Sequence, residues 1–234
     1  MTDHKNNCLI CGSELIYADN EEDLNCEICG EAFHSKVYCE NKHFICDHCH
    51  SAGANEVILK KCLQSKSLNP IQLANEIMHL PQIHMHGPEH HYLAPAVLLT
   101  IYYNHLGQQN TKENKLKEAL KRSSNVPGGA CGYWGTCGAA VGTGIFISLI
   151  TNANPLSEKS WQLSNKMTAA SLSAVAKHPG PRCCKRDTFE ALQTASVFLN
   201  EHFNFKPESN ESITCKFSHL NKECLGKKCP YFKN

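Results

Sequence analysis

The sequence predicts a mainly α-helical protein, a helical bundle carrying a small N-terminal zinc-ribbon-like module. Three observations predict it. Eight metal-ligating side chains crowd the first fifty residues. From Ala54 onward apolar residues recur with a helical period. No segment shows the sustained alternation of a half-buried strand, and two-residue hairpin turns are missing. The chain then divides into a metal-binding module (1–53), an all-helical cysteine-containing core (54–206) and a Cys-rich tail (207–234).

The module reads CLICG, CEICG and CENKHFICDHC. Each Cys-x-x-Cys can bend into a knuckle that places two thiolates on one tetrahedral zinc, and Gly12 and Gly30 supply the positive φ such a knuckle uses. Cys8, Cys11, Cys26, Cys29, Cys39, His43, Cys46 and Cys49 make eight ligands, enough for two closed structural zinc sites. Sequential pairing puts Cys8, Cys11, Cys26 and Cys29 on the first ion and Cys39, His43, Cys46 and Cys49 on the second, and this is the favoured reading. The alternative is cross-braced and joins Cys8/Cys11 to Cys39/His43 and Cys26/Cys29 to Cys46/Cys49. The run from Cys26 to Cys49 resembles the front of a RING-type domain, without the cysteine pair that would complete one. His34, His48 and His50 are left over and read as surface histidines. With few large apolar residues, the module would take much of its folding free energy from metal. Modules of this kind position partners, so a protein partner is expected here.

Helices follow in order. Asn69-Pro70 supplies an N-cap and an N1 proline for a helix through His79, which Pro81 stops. Gly87-Pro88-Glu89 opens a helix so apolar on all sides, with Tyr92, Ala96, Leu99 and Tyr103 on one stripe, that it belongs at the centre. Thr111 to Ser123 reads as a charged helix, and Lys112–Arg122 as its solvated face. A glycine-rich helix begins near Thr136 or Cys137. Ser157 caps a long helix that Pro179 ends, and Asp187 with Glu190 forms a capping box for the last one.

Net charge is +1, so no global field draws the chain to nucleic acid or to a membrane. The longest apolar run, Ala139–Ile150, is too short to span a bilayer. The polar start MTDHKNNC is not a signal peptide, and a cytoplasmic location is expected. Fifteen cysteines in a reducing compartment call for metal sites or reactive thiols, not a disulfide framework.

Four cysteines stand at two helix starts. Cys131 and Cys137 lie in GGACGYWGTCGAAVG, and Cys183 and Cys184 lie in HPGPRCCKRD. A helix N-terminus at Cys137, and Arg182, Lys185 and Arg186 around the pair, would favour thiolates. These four are therefore the candidate redox or cofactor-binding cluster. The stretch is no phosphate loop, because Gly-Lys-Ser/Thr is missing and no strand precedes it. In QIHMHGPEHH, His86 and His90 are the candidates for metal or acid–base work, with Glu89 beside them. In the tail, Cys215, His219, Cys224 and Cys229 offer a third metal site. Alternatively, the three tail cysteines and a fourth ligand from the core offer an iron–sulfur cluster.

Cys131, the CGAAVG run at 137–142, Cys183 and Cys184 partially resemble the C-GCAxxG-C-C family of putative redox-active proteins, which is helical and implies a metal centre or cycling thiols. This chain has Cys137-Gly138-Ala139 where that family has Gly-Cys-Ala. Taken whole, the knuckles, CENKHFICDHCH, HGPEHH and GGACGYWGTCGAAVG resemble an uncharacterised prokaryotic cysteine-rich family of unknown function. Three functional classes follow. The first is a redox-active or iron–sulfur protein with a zinc module for docking. The second is a zinc-ribbon adaptor for protein or nucleic acid. The third is a metal-dependent transferase or hydrolase using the histidines.

Overall fold

The computed structural model describes residues 7–209 and 212–233; the polar start, residues 1–6, lies outside them. A two-stranded antiparallel sheet, β1 (Leu15–Asn25) and β2 (Ala32–Cys39), precedes eight helices: α1 (Asp47–Gln64), α2 (Pro70–Met78), α3 (Glu89–His105), α4 (Gln109–Ser123), α5 (Ala130–Tyr133), α6 (Gly138–Ile150), α7 (Lys159–Val175) and α8 (Cys184–Phe203). The helical expectation holds from α1 onward, whereas the strands correct the expectation of none. The sequence hides them because β1 is mostly exposed and β2 mostly half-buried, which leaves little apolar alternation. A six-residue metal knuckle also replaces the short hairpin turn.

α3 is the centre of the bundle. Leu93, Ala96, Val97, Leu98, Leu99 and Ile101 are all fully buried, and α3 packs on α1, α2, α4, α6 and α8. The glycines of α6 explain its thinness. Gly138 lies under the His91 ring, and Gly144 lies against Thr168 and Ser164 of α7. Gly142 faces Pro95, where a Cβ would stand 2.6 Å from the proline Cδ and 2.8 Å from the His91 carbonyl. Glycine inside a helix costs about 1 kcal/mol relative to alanine. Here the close approach of α3 and α7 on opposite sides offsets that cost.

Three helix starts differ from expectation. α1 begins at Asp47, so it carries Cys49 in its first turn and runs unbroken across position 53 into the core at Ile58 and Cys62. α7 begins at Lys159 without a side-chain cap, because the Ser157 hydroxyl instead accepts from the Asn154 amide. α8 begins three residues before Asp187, with Cys183 as its N-cap residue. Asp187 therefore sits inside the helix, paired with Arg186 at 2.9 Å, and Glu190 turns to His178 and Tyr231.

The α4 face is not wholly solvated. Lys112 is 1 % exposed and donates to the carbonyls of Leu63 and Ser65 and to Asn104 Oδ1, tying the end of α1 to α3 and α4. Lys112→Met should destabilise the protein by about 1–3 kcal/mol, since it strands a buried acceptor. The urea midpoint should fall with an unchanged slope; an unchanged midpoint would refute this role.

The tail folds back onto the bundle. Phe217 and Tyr231 join the core, Tyr231 donating to Glu190 at 2.8 Å and the Cys215 amide donating to the Tyr231 carbonyl at 2.7 Å. Among the described residues no helix is long and apolar enough to cross a membrane.

Candidate metal centres

The N-terminal ligands gather into two quartets, each with all ligand atoms within 4.8 Å: Cys8, Cys11, Cys39 and His43, and Cys26, Cys29, Cys46 and Cys49. The arrangement is cross-braced, which corrects the sequential pairing. Strand pairing is the reason. The Leu15↔Cys39 register brings the first knuckle to the end of β2. The chain then turns back so that Phe44 bridges Cys26 and accepts from the Glu27 amide at 2.9 Å, which delivers Cys46 and Cys49 to the knuckle between the strands.

Cys11 and Cys39 sulfurs are 3.8 Å apart, and those of Cys29 and Cys46 are 3.9 Å apart. Metal–sulfur bonds of about 2.3 Å in a tetrahedron require an edge of about 3.8 Å. Gly12 and Gly30 adopt φ of +78° and +73°, and their amides close each knuckle onto the carbonyls of Cys8 and Cys26. Each quartet also holds one acidic thiol. Hydrogen bonds from Ser13 and Asn41 bring Cys11 down to about 5. Burial opposes the ionisation of Cys26, but the amides of Cys29, Cys46 and Ile28 prevail and hold it at about 6.

The four core cysteines do not share one site; three of them distribute over two cavities. Cys131 and Cys137 line an open cleft of about 690 Å³ with His178, Arg182, Arg186 and Asp187. Cys183 instead lines a smaller, more enclosed cavity with Cys215, Cys224 and Cys229, whose wall includes Arg186, Met85, Phe189 and Tyr231. Arg186 belongs to both cavities and separates them. Cys184 lines neither cavity.

The expectation of thiolates at these helix starts is overturned. Burial, then the Asp187 charge, pushes Cys137 up to about 11, against the amides of Ala140 and Ala139. Burial likewise raises Cys183 to about 11 and raises Cys184 as well. A partly exposed helix terminus lowers a thiol pKa, but here desolvation outweighs it.

His219 does not line the tail cavity; Cys183 does. The N-cap position of α8 carries Cys183 there, and the core packing of Phe217 and Tyr231 brings the tail cysteines to it. The Phe217 amide donates to Cys215 Sγ at 3.3 Å and the Gly226 amide to Cys224 Sγ at 3.4 Å, the i to i+2 pattern of metal-held cysteines.

His86 and His90 are not brought together on one ion. His86 faces the tail, with Nε2 at 3.2 Å from Asn221 Oδ1 and 3.5 Å from Glu223. His90 is buried beside the Gly87 carbonyl, and burial pushes its pKa down to about 3, which keeps it neutral. His50, His84 and Glu89 do gather. His50 was missed because its partners lie more than thirty positions away, and it is half-buried, not an exposed surface residue. Burial disfavours the ionised form of Glu89, but hydrogen bonding from His84 outweighs it and holds the carboxyl at about 2.

Fold and sites together define a helical, cysteine-rich protein with metal-capable centres at its N-terminus. The chain belongs to DUF5714, a family of unknown function, which matches residues 58–232. This bears out the reading of an uncharacterised cysteine-rich family; the C-GCAxxG-C-C resemblance gains no support from the match. No curated protein and no solved structure matches the chain. The matched span holds the cleft and the four-cysteine cavity, and the N-terminal quartets precede it.

Proposed function

We propose that the chain is an iron–sulfur redox protein whose cluster is held by Cys183, Cys215, Cys224 and Cys229, with the N-terminal quartets holding structural zinc. The observation that carries this reading is the convergence of one core and three tail cysteines on one small, partly open cavity. These four do not gather within 4.8 Å as the N-terminal quartets do. The ligands of a cluster are spread over several irons and need not meet within the span of one tetrahedral ion.

When bound, such a cluster supplies one-electron exchange. The chain's own residues set its conditions. Amides of Phe217 and Gly226 donate to two of the sulfurs, and Arg186 places positive charge at the cavity wall; both favour the more negative, reduced state. Phe189, Met85 and Tyr231 exclude water. On the far side of Arg186 the open cleft gives an electron acceptor a place to bind, and Arg182 and Arg186 suit an anionic one. The N-terminal hairpin reaches the same cleft, since Arg182 donates to the Tyr17 hydroxyl at 2.7 Å.

Anaerobically purified protein should be brown and contain iron and acid-labile sulfide in equal amounts. Cys215→Ser and Cys183→Ser should each remove most of both, and His219→Ala should not. A colourless protein without sulfide, carrying zinc as its only metal, would overturn the reading.

A further inference from the structure

We infer that His50, His84 and Glu89 form a third mononuclear site, binding one first-row divalent transition-metal ion where the N-terminal module meets the helical body. Three separate elements supply the ligands. His50 closes the first turn of α1, one residue after Cys49 of the second quartet. His84 lies in the connection from α2 to α3, and Glu89 is the first residue of α3. One ligand atom from each lies within 4.8 Å of the others. The imidazole rings of His50 and His84 stand 4.4 Å apart, tilted by 50°.

The unpaired atoms point to a ligand. Glu89 is 0 % exposed, yet its Oε2 has no hydrogen-bond partner, and neither has Nδ1 of His50; Nδ1 of His84 stands 3.4 Å from the other Glu89 oxygen, outside hydrogen-bond geometry. Three orphaned polar atoms in one buried place are expensive, at about 1–3 kcal/mol each, and a carboxylate costs more. The other Glu89 oxygen accepts the His84 amide at 3.0 Å, and His90 Nδ1 stands 3.6 Å from it. No guanidinium or ammonium touches Glu89 among the described residues. Lys185, also buried, directs its ammonium to the carbonyls of Met78 and Ile83, at 3.4 and 3.5 Å. A water molecule would occupy the lone pairs but bring no positive charge to the buried carboxylate. A divalent cation answers both needs.

The donor set selects the kind of ion. Two imidazoles and one carboxylate suit iron, cobalt, nickel or zinc better than magnesium or calcium, which prefer oxygen. With three protein ligands the ion keeps at least one open position, unlike the four-ligand quartets. Gly87 is the residue that makes room for the carboxylate, since a Cβ there would overlap Glu89 Oε2. His50 lies outside the family-matched residues, whereas His84 and Glu89 lie inside them. The ion would therefore join the N-terminal module to the family fold.

The site shares no ligand with the four-cysteine cavity, so the two stand or fall separately. The test uses cobalt(II) as the probe on the full-length chain stripped of metal, followed by dialysis against metal-free buffer. Wild-type protein should retain one cobalt equivalent without thiolate charge-transfer absorption, beyond the thiolate-bound equivalents. Glu89→Gln and His84→Gln should each lose that equivalent while the thiolate-bound ones remain. Should either fail to fold, His50→Gln at the module junction gives the same reading. Wild-type protein that retains only thiolate-bound cobalt would overturn the inference, as would a folded Glu89→Gln or His50→Gln protein that keeps the additional ion.

Discussion

Cys39→Ser should release one metal ion and unfold the N-terminal hairpin while leaving the helical body intact. Cys39 is fully buried, ends β2 and sits in the first quartet. Among the described residues before α1, the buried hydrophobic side chains are four cysteines and Tyr38. The ligands are thus nearly the whole core of the module. Burying one aromatic contributes about 3 kcal/mol at most, whereas a structural zinc contributes on the order of 10 kcal/mol or more. Without the first ion only the second, at the turn between the strands, remains, and nothing of comparable size holds the open end where Leu15 pairs with Cys39. Metal analysis should show the loss of one equivalent, and limited proteolysis should cut between residues 7 and 39. The far-UV helical signal should persist. A hairpin that stays protease-resistant in metal-depleted Cys39→Ser protein would refute the claim that metal is its core.

Gly142→Val should be the most damaging single change in the helical body. The new Cβ would meet a rigid proline ring atom at 2.6 Å and the His91 carbonyl at 2.8 Å, and neither can swing aside as a flexible side-chain end could. Valine's two methyls would then press α6 away from α3. Any gain over glycine in helix propensity is under about 1 kcal/mol, and overpacking of this kind costs about 3 kcal/mol. A melting temperature lower by roughly 6–12 °C is expected for a chain of this size. Gly132→Val is the contrasting change, since open space surrounds that position; it should move the melting temperature far less. Equal effects at the two positions would show that close packing is not why α6 is glycine-rich.

Chemistry confined to short spacings was legible in the sequence. The knuckles Cys8/Cys11 and Cys26/Cys29, with Gly12 and Gly30 at positive φ, are properties of four or five consecutive residues. So is the Asn69-Pro70 helix start, where Asn69 caps the Gln72 amide at 2.9 Å. The central position of α3 followed from its apolar composition on every face. Signals weakened where local chemistry competed with packing. Ser157 and Asp187 are good cap residues, yet one serves a loop amide and the other a neighbouring arginine, because neither chain direction nor burial appears in a cap motif.

By itself, the sequence determined the helical class, the eight N-terminal ligands and the need for close neighbours around α6. Those depend on residue type and near spacing. Only the tertiary structure decided which ligands share an ion. Strand register, not chain order, joined Cys8 and Cys11 to Cys39 and His43. Helix packing and the folded-back tail separated Cys183 from Cys131 and Cys137, placing it among the tail cysteines, and the packing of α1 on α3 brought His50 to His84 and Glu89. The reversal of the expected thiolates has the same origin. The dipole and the neighbouring cations can be read along the chain, but desolvation depends on what the rest of the fold lays over the thiol, and here it is the larger effect.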